Sequence, residues 1–508
     1  MEEENTQVSS HPKPDPPPSE KPPPPPPSTP PPPPKFEHTV DEVIENYVGS
    51  LGLSQIIQVV LVSFAWVFDA QSTLVTIFSD AEPDWRCKGS VGMCNGRPGG
   101  KGSSVCGLEP GAWEWVGGHK STTIAEWGLI CDHKFLAAIP ASAFFIGSLI
   151  ARSGIGICCL VLATEVIGRK WRGQIGQYGF FFFTIGFLTI PLIAFYNKTS
   201  WRSLHRIIAA FPFVYSLLIL RLVEESPRWL LIRGNKTRAL SVLAGFARRN
   251  GKTLPTDLQL LDPNLSINDD NNNSNVREGT PKMGLWGCRW ARIRMSIAMV
   301  AGFGVGFVYY GIQLNVENLN FSKYLTVVIN GLMEIPAVVL GSLFLGFMKR
   351  RMLFSLSCYI AGLSCLLCII FTKPKFGAWG SWVQLGIDAI GFLTASMAFD
   401  VLYIYCVELF ATNVRNFAVS MLRQALMLGA SVAPVLVAVG RSSPVISFLV
   451  FGGFAVVSGL VTVGLPETKN APLYETLEQQ EKEEKKCQGG LNDGLEGEQG
   501  ANGGLHNC

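Results

Sequence analysis

The sequence predicts an all-α membrane protein, a helical bundle of about ten transmembrane helices split four and six. Three observations carry this. Of 508 residues, 48% are hydrophobic and only 16% are charged, and the charges cluster so that long apolar stretches separate them. Ten of those stretches can cross a hydrocarbon core of about 30 Å. The bases of the connecting segments fall on one side when the chain is laid across a bilayer, as the retention of positive charge in the cytosol requires. The net charge of +3 is small and forms no basic stripe, so nucleic acid is not an expected partner, whereas a lipid bilayer is.

Residues 1–38 hold 16 of the 32 prolines and are predicted to form a disordered, proline-rich cytosolic tail. The stretch lacks an early apolar core, so the first transmembrane helix is expected to direct membrane insertion. Residues 39–53 read as a short amphipathic helix that Thr39 or Asp41 could cap. The apolar segments follow at about 54–78, 136–166, 175–196, 203–223, 292–316, 323–347, 352–371, 380–404, 415–440 and 443–465. They define an N-terminal bundle over 39–223, a central cytosolic loop over 224–291, a six-helix bundle over 292–466 and a charged, glycine-rich cytosolic tail over 467–508. Arg169, Lys170 and Arg172, then Lys349, Arg350 and Arg351, then Arg415 mark the cytosolic ends. The glycine-rich loop over 79–135 then lies outside. It carries Cys87, Cys94 and Cys106, with Cys131 at its edge, an even set expected to form two disulfides on an oxidising face. Cys158, Cys159, Cys358, Cys365 and Cys368 lie in apolar segments, where a thiol acts as a small apolar group.

Self-comparison shows a repeat. Glu165 and Arg172 close the second segment; Glu408 and Arg415 close the eighth, both pairs seven apart. Glu225 ends the fourth segment and Glu467 the last, 60 and 59 residues beyond Glu165 and Glu408. Two halves offset by about 242 residues thus carry the same cytosolic punctuation. Such acids and bases, with Arg228 beside Glu225, can pair between helices when an inner gate shuts and part when it opens. The bland alternative is positive-inside flanking with helix capping. The halves are unequal. The basic loop Lys349–Arg351 lies 59 residues before Glu408, and its counterpart before Glu165 falls near Cys106, in the outer loop. A loop and two helices are therefore expected to be missing from the first half.

The motifs WVFDAQSTL (66–74), EPDWRC (82–87), EWGLIC (126–131), TEVIGRKWRGQ (164–174), ESPRWLLIRG (225–234), VYYG (308–311) and YCVELFATNVRN (405–416) follow one another along the chain. In them the sequence resembles the plant-type organic cation/carnitine transporters of the major facilitator superfamily, from about residue 39 to 475. The likeness breaks at 148–154: the stretch before resembles the family's helix 2 and the stretch after its helix 4. The G-x-x-x-D-x-x-G-R loop and helix 3 are absent, in agreement with the gap in the repeat. The resemblance implies a twelve-helix plan short of two. It also implies movement of organic cations such as carnitine through a cavity between two bundles, driven by protons, sodium or membrane potential. Arg152 falls inside the joined helix, where an unpaired base is costly. Glu165, without the loop it would face, is left with Arg172 or Arg228 as partner.

Cavity candidates come mostly from the second half. Glu334, beside Pro336, is an intramembrane acid at a helix kink and a candidate cation or proton site; a structural acid is its alternative. Asp388 and Asp400 lie twelve apart in the eighth segment, with Asp400 deeper and nearer Glu408. Tyr309 and Tyr310 offer aromatic faces that attract organic cations by about 0.5–2 kcal/mol each, or simply pack helices. Gln313 shares the Tyr309 face one turn on. Arg423, one turn before Met427, could hold a substrate carboxylate bidentately, favouring a zwitterion over a plain cation. Asp69, with Trp66 and Gln71, completes the set near the outer end of the first helix.

No phosphate-loop pattern and no His or Cys cluster with metal spacing is present, so neither an ATP-driven pump, nor another enzyme, nor a resident cofactor is expected. A channel would need a filter-like loop. The leading expectation is a secondary transporter of organic cations or carnitine-like solutes in the plasma or vacuolar membrane. The competing one is a non-transporting membrane protein that associates with full-length family members as a regulator.

Overall fold

The computed structural model describes residues 37–88, 105–109, 111–150, 159, 162–255, 258–261, 285–319, 321–372, 377–441, 443–469, 477 and 479–482. The proline-rich tail up to residue 36, Cys94, Arg152, Cys158 and the end of the chain lie outside the described residues, as does the side chain of Arg172. Ten helices among the described residues are long and apolar enough to cross a membrane. They derive from α1 (Leu53–Leu74), α2 (Ile139–Ile150, entered through the 3-10 stretch Cys131–Ala138), α3 (Arg172–Tyr196) and α4 (Trp201–Leu222). After the cytosolic helix α5 (Lys236–Arg249) come α6 (Arg289–Leu314), α7 (Lys323–Phe347), α8 (Arg350–Phe371), α9 (Gly377–Leu409), α10 (Thr412–Gly440) and α11 (Pro444–Val461). The ends carry local signals. Ser200 caps α4 through the Ser203 amide, Asn235 caps α5 through the Arg238 amide, and Pro444 opens α11.

The repeat is visible in the packing. An offset of about 242 carries α3 onto α10 and α4 onto α11. In the first half α1 packs on α3 and α4; in the second, α6 packs on α10 and α11. Glycine closes the equivalent helix pair in both. A Cβ on Gly186 of α3 would lie 2.3 Å from the Val67 carbonyl oxygen, and one on Gly429 of α10 would lie 2.1 Å from that of Phe303. Small residues let backbones touch where apolar packing, not exclusion from water, holds helices together. The halves meet along α2 against α10 and α3 against α7.

The second half has an element the described first half lacks. There α8 packs between α9 and α11 and covers them. The first-half counterpart of α11 is α4, and 11% of its apolar span is buried, against 44% for α11. Phe211, Phe213, Leu217 and Leu218 of α4 are exposed. Beyond α4, the described residues of the segment 224–261 are not a bare loop. Residues Pro227–Ile232 and α5 pack with Val40–Val48 into an apolar cluster around Ile44, Leu243 and Phe246 beneath the first half. Thr39 caps Val40–Val43 in a reciprocal arrangement with Glu42. Outside, Trp85–Cys87 and Trp113–Trp115 pair as a short antiparallel ribbon. Cys106 is bonded to Cys131 and Cys87 is disulfide-bonded too.

Candidate substrate site between the halves

Two side-chain groups meet midway along the interface. The first belongs to α6, α7 and α9. The Tyr309 hydroxyl donates to Glu334 Oε1 at 3.0 Å, with the Ser396 hydroxyl also beside that carboxylate. Glu334 is buried and its Oε2 has no hydrogen-bond partner. Asp400 lies within electrostatic reach of Glu334 and Tyr309. The Tyr309 ring stacks on Phe392 at 5.5 Å and leans on Phe399 at 4.9 Å. The second group crosses the halves: Arg423 of α10 faces Asp69 of α1, with Tyr310 and Tyr403 beside it. Tyr310 joins the groups, since Tyr309 lies 5.1 Å from it and Phe145 of α2 packs on it at 4.9 Å. A cation is therefore served by two acids and several ring faces, and an anion by one guanidinium.

Other candidates fall elsewhere. Gln313 is buried with neither side-chain polar atom hydrogen-bonded. Asp388 is buried apart from Glu334, taking a 3.4 Å contact from the Asn330 amide. Gln71 donates to Thr189 and the Trp66 ring packs near Phe180, so both serve the α1–α3 contact. Met427 is packed in the core.

The sugar (and other) transporter family model matches residues 130–479. The chain is 34% identical to organic cation/carnitine transporter 2 of Arabidopsis thaliana, over 89% of this chain and 96% of that protein. The chain belongs to the organic cation/carnitine transporter family. A second Arabidopsis thaliana member, organic cation/carnitine transporter 3, is 35% identical over 87% of this chain and 93% of that protein. Among solved structures, the xylose transporter XylE of E. coli in its inward-open conformation superposes with a TM-score of 0.51 at 15% identity, over 84% of this chain and 99% of XylE, which bears on the fold alone. The chain is thus a multi-pass membrane transporter of the major facilitator type, as its motifs predicted, and this favours the transporter over the non-transporting alternative.

The family's cytosolic charges correct one reading of the repeat. Glu408 does not pair with Arg415. Its carboxylate takes both Nε and Nη2 of Arg350, with Nε–Oε2 at 3.0 Å, and the Thr468 hydroxyl at 2.7 Å. Arg415 instead gives its Nε to the Val407 carbonyl at 2.9 Å. Seven residues span nearly two helical turns, but here the chain turns between α9 and α10, so a side chain from a third helix is nearer. Glu467 accepts the Arg350 and Arg351 amides at 2.8 and 3.3 Å, capping α8. In the first half Ser226, the counterpart of Thr468, donates to Glu165. Arg228 does not reach Glu165; it and Arg169 go to Asp41, and Glu225 pairs with Arg238 at 3.3 Å. Among the described residues no ion pair joins the halves at the cytosolic face, because each acid is satisfied within its own half.

Sequence reasoning missed Tyr403, Phe145, Phe392, Phe399 and Ser396. Tyr403, Phe145 and Ser396 have no distinctive spacing. A heptad from Phe392 to Phe399 on the same helix as Asp400 was the available signal. It also missed Arg441, a charge isolated between the last two apolar segments.

Proposed function

We propose that this family member carries a small zwitterion with a quaternary or protonated ammonium group, such as carnitine, through the passage between its halves. The observation that supports this is the juxtaposition of Tyr309, Glu334 and Asp400 with Arg423, bridged by Tyr310. An ammonium group fits the acidic, aromatic side, where the unpartnered Glu334 Oε2 offers an acceptor. A carboxylate fits Arg423, which has Asp69 of the opposite half nearby. Both Arabidopsis relatives carry organic cation and carnitine in their names, which agrees with this chemistry.

The test is uptake into vesicles reconstituted with the purified chain. Labelled carnitine and a quaternary ammonium compound without a carboxylate are compared, with proton and sodium gradients imposed in turn to identify the coupling ion. Arg423→Gln removes a charged hydrogen bond worth about 1.5–3 kcal/mol, so carnitine uptake should fall roughly 10- to 100-fold while uptake of the plain cation persists. An equal loss for both solutes would overturn the zwitterion assignment.

The first half is read as lacking the 2–3 loop and helix 3. The alignment with the first Arabidopsis relative is 510 positions long but uses 89% of this 508-residue chain, leaving about 60 positions empty on its side. That is the length of a loop with two helices. The exposed face of α4 supports the same reading. Background uptake by this chain, alongside activity in a version with the segment restored, would remove the transporter assignment from this chain. It would leave association with full-length copies as its role.

A further inference from the structure

The outer ends of the halves close around one arginine. A small pocket of about 30 Å³ lies between the segment after α1, α2, the end of α6 and α10, lined in part by Asp80, Ala141, Glu317, Val437 and Arg441. Arg441 donates Nε to Glu317 at 3.0 Å and Nη2 to the main-chain carbonyl of Asp80 at 2.7 Å. The guanidinium therefore ties the second half to the first. Its ion pair is nearly sealed, with side chains 8% and 11% exposed. The Asp80 carboxylate, buried in the same closure, receives no cation. Its Oδ1 accepts from Ser79 at 3.1 Å and Thr123 at 2.9 Å, and its Oδ2 has no partner.

The surrounding charges do not resolve this. Glu317 and Arg441 face Asp80; Glu82, on the same outer segment, faces Arg441, Glu317 and Lys134; Lys323 faces Glu317, Asp84 and Arg441. The charge of Arg441 is matched by Glu317, so a second ionised carboxylate would stand buried and unpaired. Burial pushes the Asp80 carboxyl up to about 6. Taking up a proton removes the charge and turns Oδ2 into a donor group facing the pocket.

We propose that Asp80 is a proton-binding site at the outer gate, protonated when the gate is closed and released to the outer solution when it opens. One proton enters from outside on closing and returns on opening, with no other reactant. The consequence for transport rests on the transporter reading; the pH-dependent closure does not. The closed gate binds the proton more tightly than an open, hydrated one, whose carboxyl has the ordinary value. Closure is therefore favoured as pH falls through about 6 and lost as pH rises above it. Between pH 7 and pH 5 the closed-to-open ratio should rise roughly tenfold.

The test reads gate opening without any substrate. Ala141→Cys places a thiol in the pocket, with Val437→Cys as the second position should the first fail to fold. Its modification by an impermeant thiol reagent from outside is compared with that of Val116→Cys, an exposed position in the outer loop, to cancel the reagent's own pH dependence. The normalised rate should rise about tenfold from pH 5 to pH 7. Asp80→Asn should label slowly at every pH, and Glu82→Gln should keep the parent's pH dependence. Thr123→Val removes a donor to the ionised form and should move the midpoint upward. A flat profile in the parent, an unchanged profile in Asp80→Asn, or a flat one in Glu82→Gln would overturn the assignment. Failure of uptake with a pH-dependent gate would count against the transporter reading alone.

Discussion

Glu334 shows how far a single residue could be read. An acid inside an apolar segment beside a proline marks a cost that something must offset, and the structure supplies the Tyr309 hydroxyl and Ser396. Glu334→Gln keeps the shape and an acceptor but removes the charge, so cation uptake should drop at least about tenfold with normal amounts in the membrane. Tyr309→Phe should cost less, since the ring face remains; Tyr309→Ala should cost more by losing the contacts with Phe392 and Phe399. Initial rates at equal membrane abundance check this order, and equal rates in all three variants would sink it. Arg423 was legible as an intramembrane base, but its partners were not, because Asp69 lies more than 350 residues earlier and only the meeting of the halves brings them together.

At the scale of helices, the acids of the repeat were found by spacing and their partners were not. Glu408 and Arg415 look like a pair along the chain, yet Arg350 from the start of α8 takes the carboxylate, while Thr468 and Ser226 occupy matching places in the two halves. Arg350→Ala should therefore disturb the cytosolic end more than Arg415→Ala, read as a larger drop in detergent melting temperature. The glycine contacts were equally silent in the sequence, since many glycines lie in apolar segments and only the structure shows which ones meet a backbone. Gly186→Leu and Gly429→Leu should each destabilise by about 1–3 kcal/mol or more, lowering the melting temperature, because the side chain would overlap a facing carbonyl. Leucine at Gly453, which faces open space, is the control. Outside, Cys131→Ser opens the bond that closes 25 residues and should cost about 3 kcal/mol in the loop that carries Trp113 and Trp115. Loss of loop order with little change in the bundle is expected from hydrogen exchange.

For the whole molecule, the ten spans and the family were determined by the sequence alone. Apolar length and ordered motifs are local properties, readable along the chain independently of packing. The repeat offset was also local punctuation, and the packing of α1 on α3 and α4, matched by that of α6 on α10 and α11, gives it spatial form. Restoring a loop and helix beside α4 should raise the melting temperature and the uptake rate together, by covering Phe211, Phe213 and Leu217 as α8 covers α11. A restored chain no more stable than this one would count against the missing-segment reading. What only the tertiary structure decided were the partners: Arg350 with Glu408, Arg441 with Glu317 and the Asp80 carbonyl, and the approach of Arg423 to Asp69 across the halves. Each joins residues far apart in the chain, and a side chain's choice among several opposite charges depends on distance and burial in the folded molecule, which spacing along the chain does not carry.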